Sequence, residues 1–235
     1  MNILAMDTSN QVMGVAILKD DRVIGEVTTN LPKNHSVRLM PAVDQLMQEV
    51  GMKPEDLDKI VVAKGPGSYT GVRIALSSAK SMAWALDIPI VGVSSLEVLA
   101  YQGRLFSGYI CPFFDARRGL VYSGVYQWQQ NQLKLVYEEE NMLMSDLLEK
   151  LQKGEEPVLF LSPDVSLHEE KIREMLKDRA VIPEGPFHLA SPGHLGLAGR
   201  SKEAESTHEL TPNYLRLAEA EANWLKKQKD SRKHE

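Results

Sequence analysis

The stretch Ile3-Leu4-Ala5-Met6-Asp7-Thr8-Ser9-Asn10-Gln11-Val12-Met13-Gly14-Val15-Ala16-Ile17-Leu18 decides the fold. An apolar run meets a polar Asp-Thr-Ser turn and resumes, and after Asp20-Asp21 a third run covers residues 23–28, so the opening predicts three strands in an antiparallel meander. From Ser36 the period changes. Leu39, Val43, Leu46 and Val50, with Met40 and Met47 alongside, recur at three and four residues until Gly51, the pattern of an amphipathic helix with a glycine stop. Residues 59–63 read as a buried strand, 71–86 as a second helix, and 88–93 as a strand running into Ser94-Ser95, which suits a helix N-cap. The same order then begins again: strands at 109–114, 120–127 and 132–136, a helix at 145–152, a strand at 157–161, a helix at 165–176 and a short strand at 180–182. The expectation is an α/β chain of two βββαβαβ-type halves, 1–100 and 101–218, each a mixed sheet with helices on its faces, followed by a charged tail at 219–235.

Composition narrows the function classes. With 235 residues, 43% apolar and 25% charged, the chain has the makings of one large core or two modest ones. A lone cysteine, Cys111, cannot close a disulfide within the chain, and neither a leader pattern nor a run of about 18 apolar residues is present, so a cytoplasmic protein without a membrane span is expected. A formal charge of -5 opposes an autonomous grip on nucleic acid, which needs lysine and arginine to neutralise phosphates. Any contact with RNA is expected through a partner. Lys226, Lys227, Lys229, Arg232 and Lys233 outnumber Asp230 and Glu235 at the C-terminus, and read as a solvated tail ahead of an RNA contact.

Lys64-Gly65-Pro66-Gly67-Ser68-Tyr69-Thr70-Gly71-Val72-Arg73-Ile74 joins a strand to a helix through three glycines. Such a junction admits either a tight backbone turn or an anion at the helix start. It matches neither G-x-x-x-x-G-K-[ST] nor G-x-G-x-x-G, because no lysine follows a glycine in the first register and Thr70 stands where the second needs glycine. Asp7, Thr8, Ser9, Gly65 and Gly67 are therefore weak candidates for a nucleotide loop, with a structural turn as the leading reading.

Two halves that open on an Asp-Thr-Ser turn resemble the actin, hexokinase and Hsp70 ATPase superfamily (the ASKHA fold). Met6-Asp7-Thr8-Ser9, His35-Ser36-x-x-Leu39-Met40-Pro41, the glycine loop to Ile74, Asp115-Ala116-Arg117-Arg118-Gly119-x-Val121-Tyr122, and Pro212-Asn213-Tyr214-Leu215-Arg216 together resemble the TsaB family, also called YeaZ, of bacterial tRNA-modification proteins. The resemblance spans nearly the whole chain. It implies a non-catalytic subunit needed to make N6-threonylcarbamoyladenosine (t6A) beside the anticodon of tRNAs that read codons starting with adenine. The implied partners are the catalytic subunit TsaD, which transfers the threonylcarbamoyl group, and the ATPase TsaE, with tRNA reached through the complex and a homodimer in the absence of TsaD. Neither cofactor nor metal is implied.

Individual residues agree with that expectation. The catalytic paralogue carries a His-x-x-x-His metal pair, whereas His35 is followed at the fourth place by Leu39. Members of the superfamily that hydrolyse ATP begin Asp-x-Gly and carry a late Gly-Gly turn; here Ser9 takes the glycine place and Gly193, Gly196 and Gly199 stand singly, in a region that Ser191 as N-cap ahead of Pro192 explains equally well. An independent phosphotransferase and a zinc peptidase are the rival classes. For a partner surface the helical stripes offer Leu39, Met40, Val43 and Met47 on the first helix and Ala75, Ala79, Met82 and Ala83 on the second, with Arg73 as the polar residue able to pair with a phosphate or a carboxylate; the alternative is that the stripes face their own sheet.

Overall fold

The structure, a computed structural model, describes residues 1–31 and 34–215. Arg216 and the tail at 219–235 lie outside them. The first half builds β1 (Asn2–Asp7), β2 (Val12–Lys19), β3 (Arg22–Asn30), α1 (His35–Glu49), β4 (Lys59–Ala63), α2 (Tyr69–Leu86), β5 (Ile90–Val93) and α3 (Ser95–Ala100). The second builds β6 (Tyr109–Asp115), β7 (Leu120–Gln129), β8 (Gln132–Leu143), α4 (Met144–Gln152), β9 (Val158–Leu161), α5 (Glu169–Leu176), β10 (Ala180–Val181) and α6 (Pro192–Arg200). The first sheet has the order β3-β2-β1-β4-β5 and the second β10-β9-β6-β7-β8. Read from the other edge the two orders are the same, and both combine an antiparallel meander with two parallel additions. That duplicated topology is the actin, hexokinase and Hsp70 ATPase fold.

Both faces of the first sheet are covered over β1, β2, β4 and β5, which is why these strands read as apolar runs, whereas the edge strand β3 is largely exposed. Side chains alternate between two layers: Leu4, Met6, Val15, Ile17, Ile60 and Val62 meet α1 and α2, while Ile3, Ala5, Ala16, Leu18, Val61 and Ala63 meet α6. Helix α6 therefore returns from the far end of the sequence to the first sheet. Its N-cap is Ser191, whose hydroxyl accepts from the His194 amide, and Pro192 follows. A Cβ on Gly196 would stand 2.3 Å from Leu18 Cδ1, and one on Gly199 2.3 Å from Val61 Cγ1, so the single glycines let the helix lie directly on the strands. In the second sheet Phe113, Val121 and Phe160 pack on α4 and α5, and Ile110, Phe114 and Leu161 pack on Leu96 and Leu99 of α3, which thereby joins the halves. Ser94 caps α3 by accepting from the Leu96 amide.

Among the boundaries that differ from the sequence reading, three have a visible cause. Strand β8 continues to Leu143 instead of ending at Val136, because its central carboxylate, Glu139, turns inward and is bonded. Val165–Leu167 is a 3₁₀ turn, so α5 starts at Glu169. Strand β5 starts at Ile90 rather than Ile88, which packs against the first core while its backbone N–H caps α2 at Ala83 O. Among the described residues no helix is long and apolar enough to cross a membrane.

Candidate functional site

The glycine loop closes onto the Asp-Thr-Ser turn. Thr8 Oγ1 donates to Gly71 O at 2.6 Å and accepts from Ala75 N at 3.1 Å; Ser68 N donates to Ser9 O at 2.7 Å. Ser95 Oγ donates to Ser9 Oγ at 2.8 Å, and Ser9 N to Asp7 Oδ1 at 2.7 Å. Each of these groups is buried on the turn side, so every bond satisfies an atom that would otherwise lack water. A Cβ on Gly67 would lie 2.2 Å from Ser9 O, and one on Gly71 2.2 Å from Thr8 O. Glycine is required there because backbone touches backbone. Gly65 has φ +93°, the left-handed region, and its carbonyl accepts from Ser95 N. Burial pushes the Asp7 carboxyl above the ordinary aspartate range, against the lowering effect of its bonds to Ser9. Asp7, Thr8, Ser9 and Gly65 are thus members of a packed junction, and of the five loop candidates Gly67 lines the neighbouring cleft.

That cleft, about 840 Å³, lies between the halves. Asn10, His35, Tyr69 and Thr70 line one wall; Asp115, Arg117, Tyr122 and Asp164 line the other. His35 Nε2 stands 2.9 Å from Asn10 O, an acceptor, so the bond uses the tautomer with its N–H on Nε2. The fourth residue on, Leu39, is buried in the first core. Across the cleft, Asp115 Oδ1 meets His168 Nε2 at 3.1 Å, Asp115 Oδ2 accepts from the Arg117 amide at 3.1 Å, and Asp115 N donates to Asp164 Oδ2 at 3.1 Å. These bonds brace a tight turn in which Arg117, Arg118 and Gly119 all have positive φ, the charged hairpin the sequence indicates.

Behind the cleft, Glu139 of β8 gathers donors from three segments. Ser94 Oγ and Tyr126 OH both donate to its Oε1, and Asn213 Nδ2 donates to Oε2 at 3.0 Å. Asn213 N in turn donates to Lys64 O at 2.6 Å, at the mouth of the glycine loop. The spacing of residues gave no signal for this junction.

The two helices of the first half divide the partner-surface candidates. Leu39, Val43, Met47, Ala75, Ala79 and Ala83 are buried against their own sheet, which corrects their placement on an outward stripe: the strongest apolar periodicity marks the inward face. Met40 is exposed, Met82 half-buried and Arg73 exposed. The outward face also presents Val37, 65% exposed, and Trp84, 71% exposed. Trp84 lies eleven residues after Arg73 with Ser77 and Ser81 between, a helical spacing from which it was legible.

The family model described as "TsaD: tRNA N6-adenosine threonylcarbamoyltransferase" matches residues 22–224. The tRNA threonylcarbamoyladenosine biosynthesis protein TsaB of Bacillus subtilis (strain 168) is 53% identical over 229 residues, covering 97% of this chain and 100% of that protein. This chain belongs to the TsaB family. The Escherichia coli (strain K12) protein of the same name is 31% identical over 156 residues, 65% of this chain and 67% of that one. Among solved structures, YeaZ from Pseudomonas aeruginosa superposes with a TM-score of 0.76 at 27% identity, over 91% of this chain and 99% of that one. In this member of the family the Asp-Thr-Ser junction is closed by its own backbone.

Proposed function

We propose that this TsaB-family chain is a non-catalytic subunit required for threonylcarbamoyl transfer to N6 of the adenosine beside the anticodon, in tRNAs that read codons starting with adenine. It binds and activates the catalytic subunit TsaD, and the ATPase TsaE joins the assembly. The observation that carries this reading is full-length kinship with a protein named for threonylcarbamoyladenosine biosynthesis. The site chemistry supports it. Asp7 is buried and bonded within the turn, and the place of a second imidazole four residues after His35 belongs to a core leucine.

The outward face of α1 and α2 is the docking surface: Val37, Met40 and Trp84 offer large apolar groups to a partner's helices, and the same face joins two copies when TsaD is absent. The protein works in the cytoplasm, needs no cofactor of its own and reaches tRNA through the complex. Its functional division falls near residue 100, with the first half, 1–100, carrying the docking helices and 101–218 forming the C-terminal half. Size-exclusion chromatography with light scattering, on this chain mixed with its cognate TsaD, tests the reading. A heterodimer that Trp84→Asp abolishes while the variant keeps its native melting curve is the expected result. Failure to associate at micromolar concentration refutes it.

A further inference from the structure

Arg73 is held on the surface by two tyrosines, with no carboxylate bonded to it among the described residues. It follows Tyr69 by four residues, one turn of α2, so both side chains stand on one face, and its guanidinium carbon lies 4.0 Å over the Tyr69 ring. Its Nε donates to Tyr214 OH at 2.7 Å, and the rings of Tyr69 and Tyr214 stack with centroids 5.5 Å apart. Tyr214 is itself anchored, since the preceding Asn213 is bonded through its amide to Lys64 O and through its side chain to Glu139. Among the described residues Arg73 is exposed and forms no ion pair, and both Nη groups, with four N–H donors, have no hydrogen-bond partner there. An exposed arginine ordinarily has few fixed contacts; this one touches two aromatic rings and a hydroxyl, none of which neutralises its charge.

We propose that the two Nη groups of Arg73 grip, in bidentate geometry, an aspartate or glutamate side chain of the partner subunit at the edge of the α1/α2 docking face, which makes Tyr69, Arg73 and Tyr214 a preformed specificity anchor. This rests on the partner-subunit reading above. Charge favours a protein carboxylate over RNA phosphate. A polyanion is held by several cations, and the other cation of α2, Lys80, is engaged by Leu210 O at 2.9 Å, so the fork stands alone on its helix in a chain with 32 acidic and 27 basic residues. A single fork on a helix that also exposes Trp84 suits a protein interface, polar at the rim and apolar within.

Titration calorimetry of the full chain with cognate TsaD, for wild type, Arg73→Ala, Arg73→Lys, Tyr214→Phe and Trp84→Ala, tests this. Arg73→Ala and Arg73→Lys are expected to weaken Kd by about 10- to 100-fold alike, because lysine restores the charge and not the fork, and Tyr214→Phe by about 3- to 10-fold, with native melting temperatures throughout. Arg73→Ala binding within twofold of wild type while Trp84→Ala binds weakly overturns the anchor and leaves the docking face standing. Wild type failing to bind overturns the reading beneath it. Arg73→Ala that binds TsaD normally but lowers tRNA retention by the assembled complex assigns the fork to a phosphate and overturns the carboxylate.

Discussion

Replacing Gly71 by alanine sets two effects of opposite sign against each other. In a helix, alanine is favoured over glycine by about 1 kcal/mol, so propensity alone predicts a more stable protein. The structure predicts the reverse. The added Cβ would stand 2.2 Å from Thr8 O, roughly 1 Å short of an ordinary C···O contact. Neither side yields easily, since Thr8 directly follows the central strand β1 and its hydroxyl is bonded to the backbone of α2 at Gly71 and Ala75. Overpacking costs about 1–3 kcal/mol, and loosening the Thr8 bonds adds about 1 kcal/mol each. Net of propensity, the loss is about 2–4 kcal/mol, which for a chain of this length lowers Tm by about 4–16 °C. Circular dichroism melts of wild type, Gly71→Ala and Gly185→Ala decide the matter, the last being a control in which the new Cβ meets nothing within 4 Å. Gly185→Ala should melt with wild type or slightly above it. A Gly71→Ala protein that melts at or above wild type refutes the reasoning, and would mean that the loop glycines serve an external ligand instead of the turn.

Three further outcomes follow from the same geometry. Because burial raises the Asp7 carboxyl above 3.8, the native state keeps a proton the unfolded chain releases, so this stabilisation is complete below the ordinary aspartate value and is lost as pH rises through the native one. Asp7→Asn keeps the acceptor for Ser9 N–H and should flatten that decline in melts from about pH 4 to pH 8; a variant that loses more stability at the upper end than at the lower contradicts it. The Cys111 thiol, pushed up to about 12 by burial, should react with a chromogenic disulfide only after denaturation, and rapid labelling of the native chain would count against its placement. Glu139→Gln puts amide donors against three donors already present and should cost about 1–3 kcal/mol, read as a lower urea midpoint; an unchanged midpoint would show the junction to be dispensable.

How much of this was legible depended on what a residue touches. Strands β1, β2 and β4 were readable because a sheet covered on both faces demands continuous apolar residues, and the caps Ser94 and Ser191 because a hydroxyl before a helix has one common use. Periodicity found α1 and α2 but could not say which stripe meets a partner. Burial and docking both select apolar residues, and Ala79 with its neighbours went to the larger demand, the chain's own core. Of the outward groups, Trp84 continues the exposed line of Arg73, Ser77 and Ser81, whereas Val37 is isolated in sequence and gains meaning only when the helices lie side by side. Glu138-Glu139-Glu140 reads as a polar loop; only the fold shows that the middle carboxylate joins segments 45 and 74 residues away. The cleft likewise collects residues from both halves, a placement that no local pattern encodes.

The return of α6 to the first sheet bears on the order in which a growing chain can become stable. When residues 1–100 leave the ribosome they can form β1 to β5 and cover one face with α1 and α2, but Ile3, Ala5, Ala16, Leu18, Val61 and Ala63 await Leu195 and Ala198, which are made about a hundred residues later. The half that starts first is finished last. Until then its uncovered face is an adhesive surface for nascent neighbours or chaperones, and a protein halted in synthesis anywhere before α6 is exposed to aggregation through that face.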